Sequence, residues 1–379
     1  MHPLAHRISQ ANSLLAPYAV QHGGGLRREH AEQDDATRFP FQRDRDRIIH
    51  TQAFRRLKHK TQVFVAGHGD HYRTRITHTL EVAQISRDIA RTLRLNEDLA
   101  EAIALAHDLG HTPFGHAGED AMKQCMESFG KSFEHNMQSL RIVTLLEDRC
   151  HQYPGLNLSR EILEGLQKHR TPHDIPTESA LPRSPSLEAQ IVNLADEIAY
   201  TAHDTDDGLR AEQFSVRDIA RTHLGSLASV KAKTNGTEIR GALVDLLVTD
   251  LYAETERRVA EMNIHSLDDV YSASESIVSY SSAMTDHLAE LRQFLWNRLY
   301  KSPAVLRQAN RGKKILRVLF THYVHHPNLK IKALMKTSHT SLEDAVKDYI
   351  AGMTDPFAIG VYEGLISSAN TSADPRARR

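Results

Sequence analysis

Residues 77–110 carry the pattern that most restricts the fold, because their apolar side chains recur at helical spacing. From Thr77 to Leu95 these side chains fall mainly on one stripe, as on a helix with one buried face. Asn96 and Asp98 then favour the start of a second helix, and Gly110 favours its end. We therefore predict a helical hairpin in this segment.

Similar periodicity runs along most of the remaining chain, whereas the period-two alternation of strands is rare. Only residues 64–66 are interpreted as a small strand. We therefore predict an all-α protein. The further predicted helices span 41–60, 115–129, 134–147, 159–168, 187–203, 237–263, 284–301, 303–323, 341–352 and 356–367.

Less regular stretches set the expected domain limits. Residues 170–186 hold four prolines and predict a surface loop, while residues 22–25 are expected to be frayed. The polar tail from Ser367 is expected to be disordered. The chain is predicted to divide into an N-terminal extension (1–40), a histidine-rich domain (41–225), a C-terminal helical region packed on it (226–366) and the tail (367–379).

Composition restricts the class of protein. The 379 residues are 40% hydrophobic with a net charge of −1, which is typical of soluble globular proteins. No apolar run reaches the roughly 18 residues of a membrane span, and the N-terminus lacks a signal-peptide pattern. Cys125 and Cys150 have no CxxC spacing, which argues against thiolate zinc and a disulfide framework. We expect a cytoplasmic protein without membrane contact.

Histidine is unusually abundant, with 24 residues, seven of them between positions 59 and 116. Four polar residues stand in apolar helical contexts, where unpaired polar groups are costly: His78, His107, Asp108 and Asp196. Singly they have ordinary explanations, namely a capped helix end, a hydrogen-bonded core imidazole and an arginine partner. A shared divalent ion would account for all four. Imidazole with carboxylate suits Mn, Mg, Co, Fe, Ni or Zn, and the ion's identity stays open.

The surrounding strings are more specific than the ligand set. The order His, then His-Asp, then a distant Asp resembles the HD-domain phosphohydrolases. The chain is similar, more closely, to the deoxyguanosine triphosphate triphosphohydrolase (dGTPase)-like family, in its shorter bacterial branch. This resemblance implies an HD-domain helical bundle with additional C-terminal helices. The strings that carry it are RRLKHKTQVF at 55–64, RTRITHTLEVAQ at 73–84, AHDLGHTPFGHAGE at 106–119, FEHNMQSLRIV at 133–143 and NLADEIAYTAHDTDDGL at 193–209.

The resemblance also implies a reaction, the hydrolysis of a deoxynucleoside triphosphate (dNTP) to the deoxynucleoside and inorganic triphosphate. The metal would be held by the four residues above. The family places its catalytic pair at His116 and Glu119, which share a helix face three residues apart. An ordinary surface pair is the alternative for these two. The family pattern also implies a catalytic, phosphate-contacting role for His111.

The substrate contacts implied by the family lie on several segments. Arg75 would contact the α-phosphate, Gln62 would lie near the sugar, and His135 would also contact substrate. Tyr200 and Asp204 follow Asp196 by four and eight residues, so all three share one helix face. In the family, those two positions pack on the deoxyribose and bind its 3′ hydroxyl. A core aromatic with a satisfied hydroxyl is the alternative for Tyr200.

Two other functions compete with this one. The same ion could serve a phosphodiesterase acting on another nucleotide or on single-stranded nucleic acid. A nucleotide-sensing or nucleic-acid-binding protein without turnover is the second alternative, motivated by the basic run at 43–60, although such runs are usually solvated helix faces. The resemblance further implies a homo-oligomer, a tetramer or hexamer. Base preference and activation by a second nucleotide stay open.

Overall fold

The computed structural model of the protein describes residues 3–23, 28–62, 73–167 and 184–373. These residues form eighteen α-helices and isolated bridges without a β-strand, so the all-α prediction is confirmed. A 3₁₀ turn spans Leu57–His59, and π-helical turns span Ile142–Leu146 and Trp296–Tyr300. The helices are α1 (Leu4–Asn12), α2 (Pro40–Ile49), α3 (Gln52–Arg56), α4 (Arg75–Thr92), α5 (Glu97–Ala106), α6 (Gly115–Glu127), α7 (His135–Arg141), α8 (Arg160–Gln167), α9 (Leu187–Arg210), α10 (Val216–Ile219), α11 (His223–Asn235), α12 (Ile239–Glu261), α13 (Leu267–Ser272), α14 (Ser282–Leu295), α15 (Pro303–His325), α16 (Leu329–Thr337), α17 (Leu342–Ala351) and α18 (Asp355–Ala373).

Helix α5 lies at the centre of the larger hydrophobic core. Seven of its ten residues are buried, and four of these seven are alanines, which let neighbouring helices approach closely. Asn96 caps its start by accepting a hydrogen bond from the Leu99 N–H at 3.2 Å. Helices α2, α4, α8 and α9 pack around it. The residues that follow α5 therefore meet the first turn of α4 and the middle of α9.

A second hydrophobic core joins the C-terminal helices to α6. Helix α15 packs on α6, α17 and α18, and α17 also contacts α6. The buried side chains of this core include Phe114, Met122, Leu316, Phe320 and Ile350. Phe114 immediately precedes α6, so this core holds the turn that leads into that helix.

The predicted helix at 41–60 is broken. Thr51 caps a new helix by accepting a hydrogen bond from the Phe54 N–H at 3.0 Å, which separates α2 from α3. Two cations of the basic run at 43–60, Arg47 and Lys60, are buried rather than exposed to solvent. Arg47 donates to the carbonyls of Leu156 and Asn157, at 2.9 and 2.8 Å.

Several predicted limits differ from the structure. Helix α5 ends at Ala106 instead of Gly110, so His107 and Asp108 lie in the turn after it. The boundary predicted at 225/226 falls inside α11, and the larger core contains residues on both sides of it. The periodicity also missed five helices, four of them shorter than ten residues: α1, α10, α11, α13 and α16.

The predicted disordered tail is wrong for its first residues. Helix α18 continues to Ala373, because no proline or glycine interrupts the chain between Ser367 and that residue. The remainder of the tail, the strand predicted at 64–66 and most of the predicted 170–186 loop lie outside the described residues. Residues 24 and 25 also lie outside them. Among the helices that are described, none is both long and apolar enough to cross a membrane.

Candidate active site

The four predicted metal ligands meet where three helices converge. His78 lies in the first turn of α4, His107 and Asp108 follow α5, and Asp196 lies in the middle of α9. His78 Nε2 is 2.9 Å from Asp196 Oδ1, and His107 Nε2 is 3.7 Å from the same oxygen. Asp108 Oδ1 lies 3.4 Å from His107 Nε2. The structure therefore brings His78, His107 and Asp196 close enough together to hold one metal ion. Asp108, the fourth predicted ligand, borders this trio and groups more closely with His111 and His135.

The hydrogen bond made by His107 Nδ1, as well as the spacing of these residues, suits the binding of a divalent ion. His107 Nδ1 is 2.6 Å from the Ala104 carbonyl, which can only accept, so this nitrogen carries the proton. The other nitrogen, Nε2, faces the carboxylates and, once it has lost its proton, can bind a metal ion, as in metal-ligating histidines. Asp196 is partly accessible, whereas His78, His107 and Asp108 are buried. The cluster is thus open on the Asp196 side.

The charges of the cluster depend strongly on one another. Burial acts to lower the pKa of His107, but Asp108 and Asp196 outweigh it and raise this pKa to about 9. Burial acts to raise the pKa of Asp108, yet His107, Arg75 and His111 hold it well below its usual range. Asp196 is likewise held low, by His107 and His78, against burial. Both carboxylates are therefore ionised and attract a cation.

Arg75, the first residue of α4, borders the residues of the candidate metal site. Its Nη1 donates to Asp108 Oδ2 at 2.9 Å, and its side chain is almost fully buried. Its Nε and Nη2 have no hydrogen-bond partner among the described residues. A buried guanidinium with two unused donors beside a metal cluster suits a phosphate oxygen.

Three histidines and one carboxylate form a second group next to Asp108. His111 Nε2 is 3.0 Å from Asp108 Oδ1, and the rings of His111 and His135 stack at 3.9 Å. Glu119 Oε1 accepts from both the backbone N–H and Nδ1 of His135, at 2.9 and 2.8 Å. His116 Nδ1 is 3.7 Å from Glu119 Oε2. The predicted pair of His116 and Glu119 is therefore adjacent, but His135 makes the shorter contacts with the carboxylate.

This second group can exchange protons with a ligand. Burial acts to raise the pKa of Glu119, but hydrogen bonds from His116 and His135 hold it far below its usual range. Burial and Arg75 hold the pKa of His111 well below 6.5, so its imidazole is neutral. His116 is the exposed member, with 78% of its side chain accessible. Because Arg75 lies beside this group, an anion suits it better than a second cation.

The sugar contacts implied by the resemblance lie along α9, one and two turns after Asp196. Tyr200 OH accepts a hydrogen bond from Arg292 Nη2 at 2.5 Å, and the Arg292 guanidinium lies 5.4 Å from the centre of the Tyr200 ring. Tyr300 OH donates to Asp204 Oδ2. Burial, opposed by this hydrogen bond, raises the pKa of Asp204 to about 7. Asp204 Oδ1 has no partner within the described parts of the chain.

Gln62 lies near the start of α6. Its backbone carbonyl is 3.2 Å from the position that a Cβ on Gly115 would occupy. Its side-chain Oε1 is buried and accepts no hydrogen bond from any residue that the structure describes. A buried amide oxygen without a donor is costly, so a ligand hydroxyl is a suitable partner.

Two family models match this chain. The HD domain matches residues 75–201, and the phosphohydrolase-associated domain matches residues 278–364. A deoxyguanosinetriphosphate triphosphohydrolase-like protein of Geobacter sulfurreducens is 46% identical over 365 residues, covering 93% of this chain and 94% of the relative. Proteins of the same description from Azoarcus sp. and Brucella anthropi are each 45% identical, covering 93% and 92% of this chain and 97% and 95% of the relatives.

The chain belongs to the deoxyguanosinetriphosphate triphosphohydrolase-like family. In this family member, the HD match contains all four predicted metal ligands together with Arg75. Arg292 and Tyr300 lie in the phosphohydrolase-associated match, far from the ligands in sequence. They were not predicted from the sequence. No motif marks either residue, and the only sequence signal was a helix predicted at 284–301.

Proposed function

We propose that the protein hydrolyses dNTPs at the α-phosphate and releases the deoxynucleoside and inorganic triphosphate. The observation that carries this proposal is that two groups of different chemistry border the predicted metal ligands. Arg75, His111 and His135 can supply phosphate contacts beside Asp108. Tyr200 and Asp204, one and two turns after Asp196 on α9, can supply an aromatic ring and a hydroxyl acceptor.

A divalent ion fits His78, His107 and Asp196, with Asp108 as the fourth predicted ligand, and when bound there it would polarise the α-phosphate and offset its negative charge. Arg75 then directs its two unused donors to a phosphate oxygen. His111 Nε2 donates to the ionised Asp108, so the Nδ1 of the neutral ring, which has no hydrogen-bond partner among the described residues, accepts a hydrogen bond and would donate to a phosphate oxygen only after taking up a proton. The triphosphate is thereby held by side chains, since the sequence has no glycine-rich phosphate loop.

Water attack on the α-phosphorus forms one P–O bond while the bond to the 5′ oxygen breaks. The departing 5′ oxygen needs a proton, and His116 is the exposed imidazole beside the cluster. Glu119 is ionised and lies 3.7 Å from His116 Nδ1, so it stabilises the protonated ring and orients it. The contacts from His135 hold Glu119 in place for this role.

Selection of the deoxy sugar follows from the α9 face. The 3′ hydroxyl can donate to Asp204 Oδ1, the oxygen that Tyr300 leaves unused. Arg292 holds the Tyr200 ring by its hydroxyl, so the ring can pack against C2′ without rotating. A ribose 2′ hydroxyl would then meet an aromatic surface and lose its hydrogen bonds to water.

The test is product analysis with each of the four dNTPs, alone and mixed, in the presence of Mn or Mg. Deoxynucleoside and triphosphate, both abolished by chelation, are the expected products. Asp108→Asn should abolish their formation, whereas Asp120→Asn serves as the control because Asp120 is an exposed α6 residue paired with Lys313. Monophosphate or pyrophosphate would instead indicate a phosphodiesterase or pyrophosphohydrolase. Nucleotide binding without any product would indicate a sensor.

A further inference from the structure

Asp355, the first residue of α18, binds two segments of the active site at once. Its Oδ2 accepts from the Thr61 N–H at 3.1 Å and from the Thr61 hydroxyl. Its Oδ1 accepts from the Phe114 N–H at 3.0 Å. Asp355 is 1% exposed, and nearly 300 residues of chain separate it from Thr61. Hydrogen bonds to a buried carboxylate are among the stronger ones in proteins, so these contacts restrict both segments.

Both segments lead directly to residues of the proposed reaction. Thr61 precedes Gln62, the buried amide without a donor, and Phe114 lies two residues before His116. Phe114 adopts a left-handed backbone conformation with φ of 66°. A non-glycine residue in this conformation is strained and persists only where its surroundings hold it. The Asp355 contact is one such restraint, and the packing of Gly312 against Phe114 is another.

Lys60 makes a parallel connection between the same parts of the chain. Its buried ammonium donates to the His111 carbonyl and, at 2.9 Å, to the Ala351 carbonyl at the end of α17. The junction of α17 and α18 is thus joined twice to the active-site segments, through Ala351 and through Asp355. The two connections flank the His111–His116 turn at its beginning and near its end.

We propose that Asp355 is a positioning residue for the proposed reaction, holding the Thr61–Gln62 segment and the Phe114–His116 turn in register around one substrate. This inference rests on the proposed function. Within the described residues, the hydrogen bonds of Asp355 reach Thr61 and Phe114 but not the predicted metal ligands, so Asp355 acts through Gln62 and His116. The C-terminal helices are therefore part of the catalytic arrangement.

The test uses the full chain with Asp355→Asn, which keeps the shape but replaces one accepting oxygen by an NH₂ group. This group cannot accept from either backbone N–H, so one segment is released. We expect kcat to fall about 10- to 100-fold, as for misplacement of reacting groups by about 1 Å. Metal content should stay at the wild-type value. Hydrogen exchange of the Thr61 or Phe114 amide should become faster.

Asp344→Asn is the matched control, because Asp344 joins α17 to Lys131, at 2.6 Å, away from the active-site segments. It should keep wild-type kcat. Thr61→Val removes the hydroxyl that donates to Asp355 and leaves the carboxylate unchanged. If Asp355→Asn fails to fold, this second variant still tests the inference. Its kcat loss should be smaller than that of Asp355→Asn and should not add to it, since both act through the same contact.

Two results would overturn the inference. One is a wild-type kcat in Asp355→Asn together with faster amide exchange, because the segments would then be released without consequence. The other is an equal loss of kcat in Asp344→Asn, which would indicate a general effect on the C-terminal helices. The proposed function has its own refutation, which is that the wild-type chain releases no triphosphate. In that case, amide exchange in Asp355→Asn still shows whether Asp355 holds both segments.

Discussion

Gly110→Ala should damage the active site without altering any ligand. Gly110 follows the metal ligand Asp108 by two residues, and helix α7 lies directly over it. A Cβ at this position would be 2.1 Å from the His135 carbonyl oxygen and 2.3 Å from the Ser139 nitrogen. These are backbone atoms, which cannot swing aside as a side chain can. The helix as a whole must therefore move.

The size of the effect follows from this overlap. Contacts of a Cβ are essentially never shorter than 3.0 Å, so α7 must move by roughly 1 Å or more. Overpacking of this kind costs about 1–3 kcal/mol of unfolding free energy. His135, at the start of α7, would move with the helix and loosen its two contacts with Glu119. A shift of about 1 Å in such a group costs about 100-fold in kcat.

Urea unfolding and triphosphate release measure the two effects. Gly241→Ala is the control, because Gly241 lies in α12 and an added Cβ there meets no atom within 4 Å. That change should raise the unfolding free energy by about 0.5–1 kcal/mol and leave kcat unchanged. Wild-type stability and kcat in Gly110→Ala would refute the close packing of α7 on the residues after α5.

His116 is largely exposed, so His116→Ala should lower kcat about 10²- to 10⁴-fold but change the unfolding free energy by less than about 0.5 kcal/mol; urea unfolding beside triphosphate release checks both. Asp196→Asn should lower the metal content measured by elemental analysis, and full metal occupancy would contradict the assigned cluster. Burial raises the pKa of Glu188 from 4.5 to about 7, although hydrogen bonds from the Asn96 and Val20 amides oppose this shift. Between pH 4.5 and 7, the folded chain therefore keeps a proton on Glu188 that the unfolded chain has released. Its contribution to stability is complete below pH 4.5 and is lost as the pH rises towards 7, by about 1.4 kcal/mol per pH unit. Glu188→Gln should flatten that part of the urea-measured stability curve, and an unchanged slope would exclude the assignment.

The sequence predicted elements best where periodicity and burial coincide. The α4 and α5 hairpin was predicted because one apolar stripe and an Asn96 cap are both local signals. Helices α10 and α13 were missed because a helix of four to six residues has too few turns to display a period. The break at Thr51 was also missed, since it depends on a hydrogen bond from a hydroxyl to the Phe54 amide within an otherwise helical pattern.

The candidate site was predictable to the extent that its residues carry motifs. The His-Asp pair and the spacing of Asp196, Tyr200 and Asp204 are local patterns, and the structure places them together. Glu119 was expected to pair with His116 from helical spacing and from the family resemblance. Its shorter contacts are with His135, which follows α6 after a turn and whose orientation no spacing rule gives.

Sequence reasoning missed Arg292, Tyr300 and Asp355 for one physical reason. Each of them makes hydrogen bonds to a residue that is distant in sequence. Tyr300 satisfies one oxygen of Asp204 and leaves the other for a ligand, while Arg292 holds the hydroxyl of Tyr200. Both come from the turns around the end of α14, and Asp355 comes from the start of α18. The HD segment therefore supplies the proposed metal ligands, whereas the positions of the proposed sugar contacts and of the His116 turn depend on the C-terminal helices. Changes in those helices should consequently alter sugar selectivity and kcat before they alter metal binding.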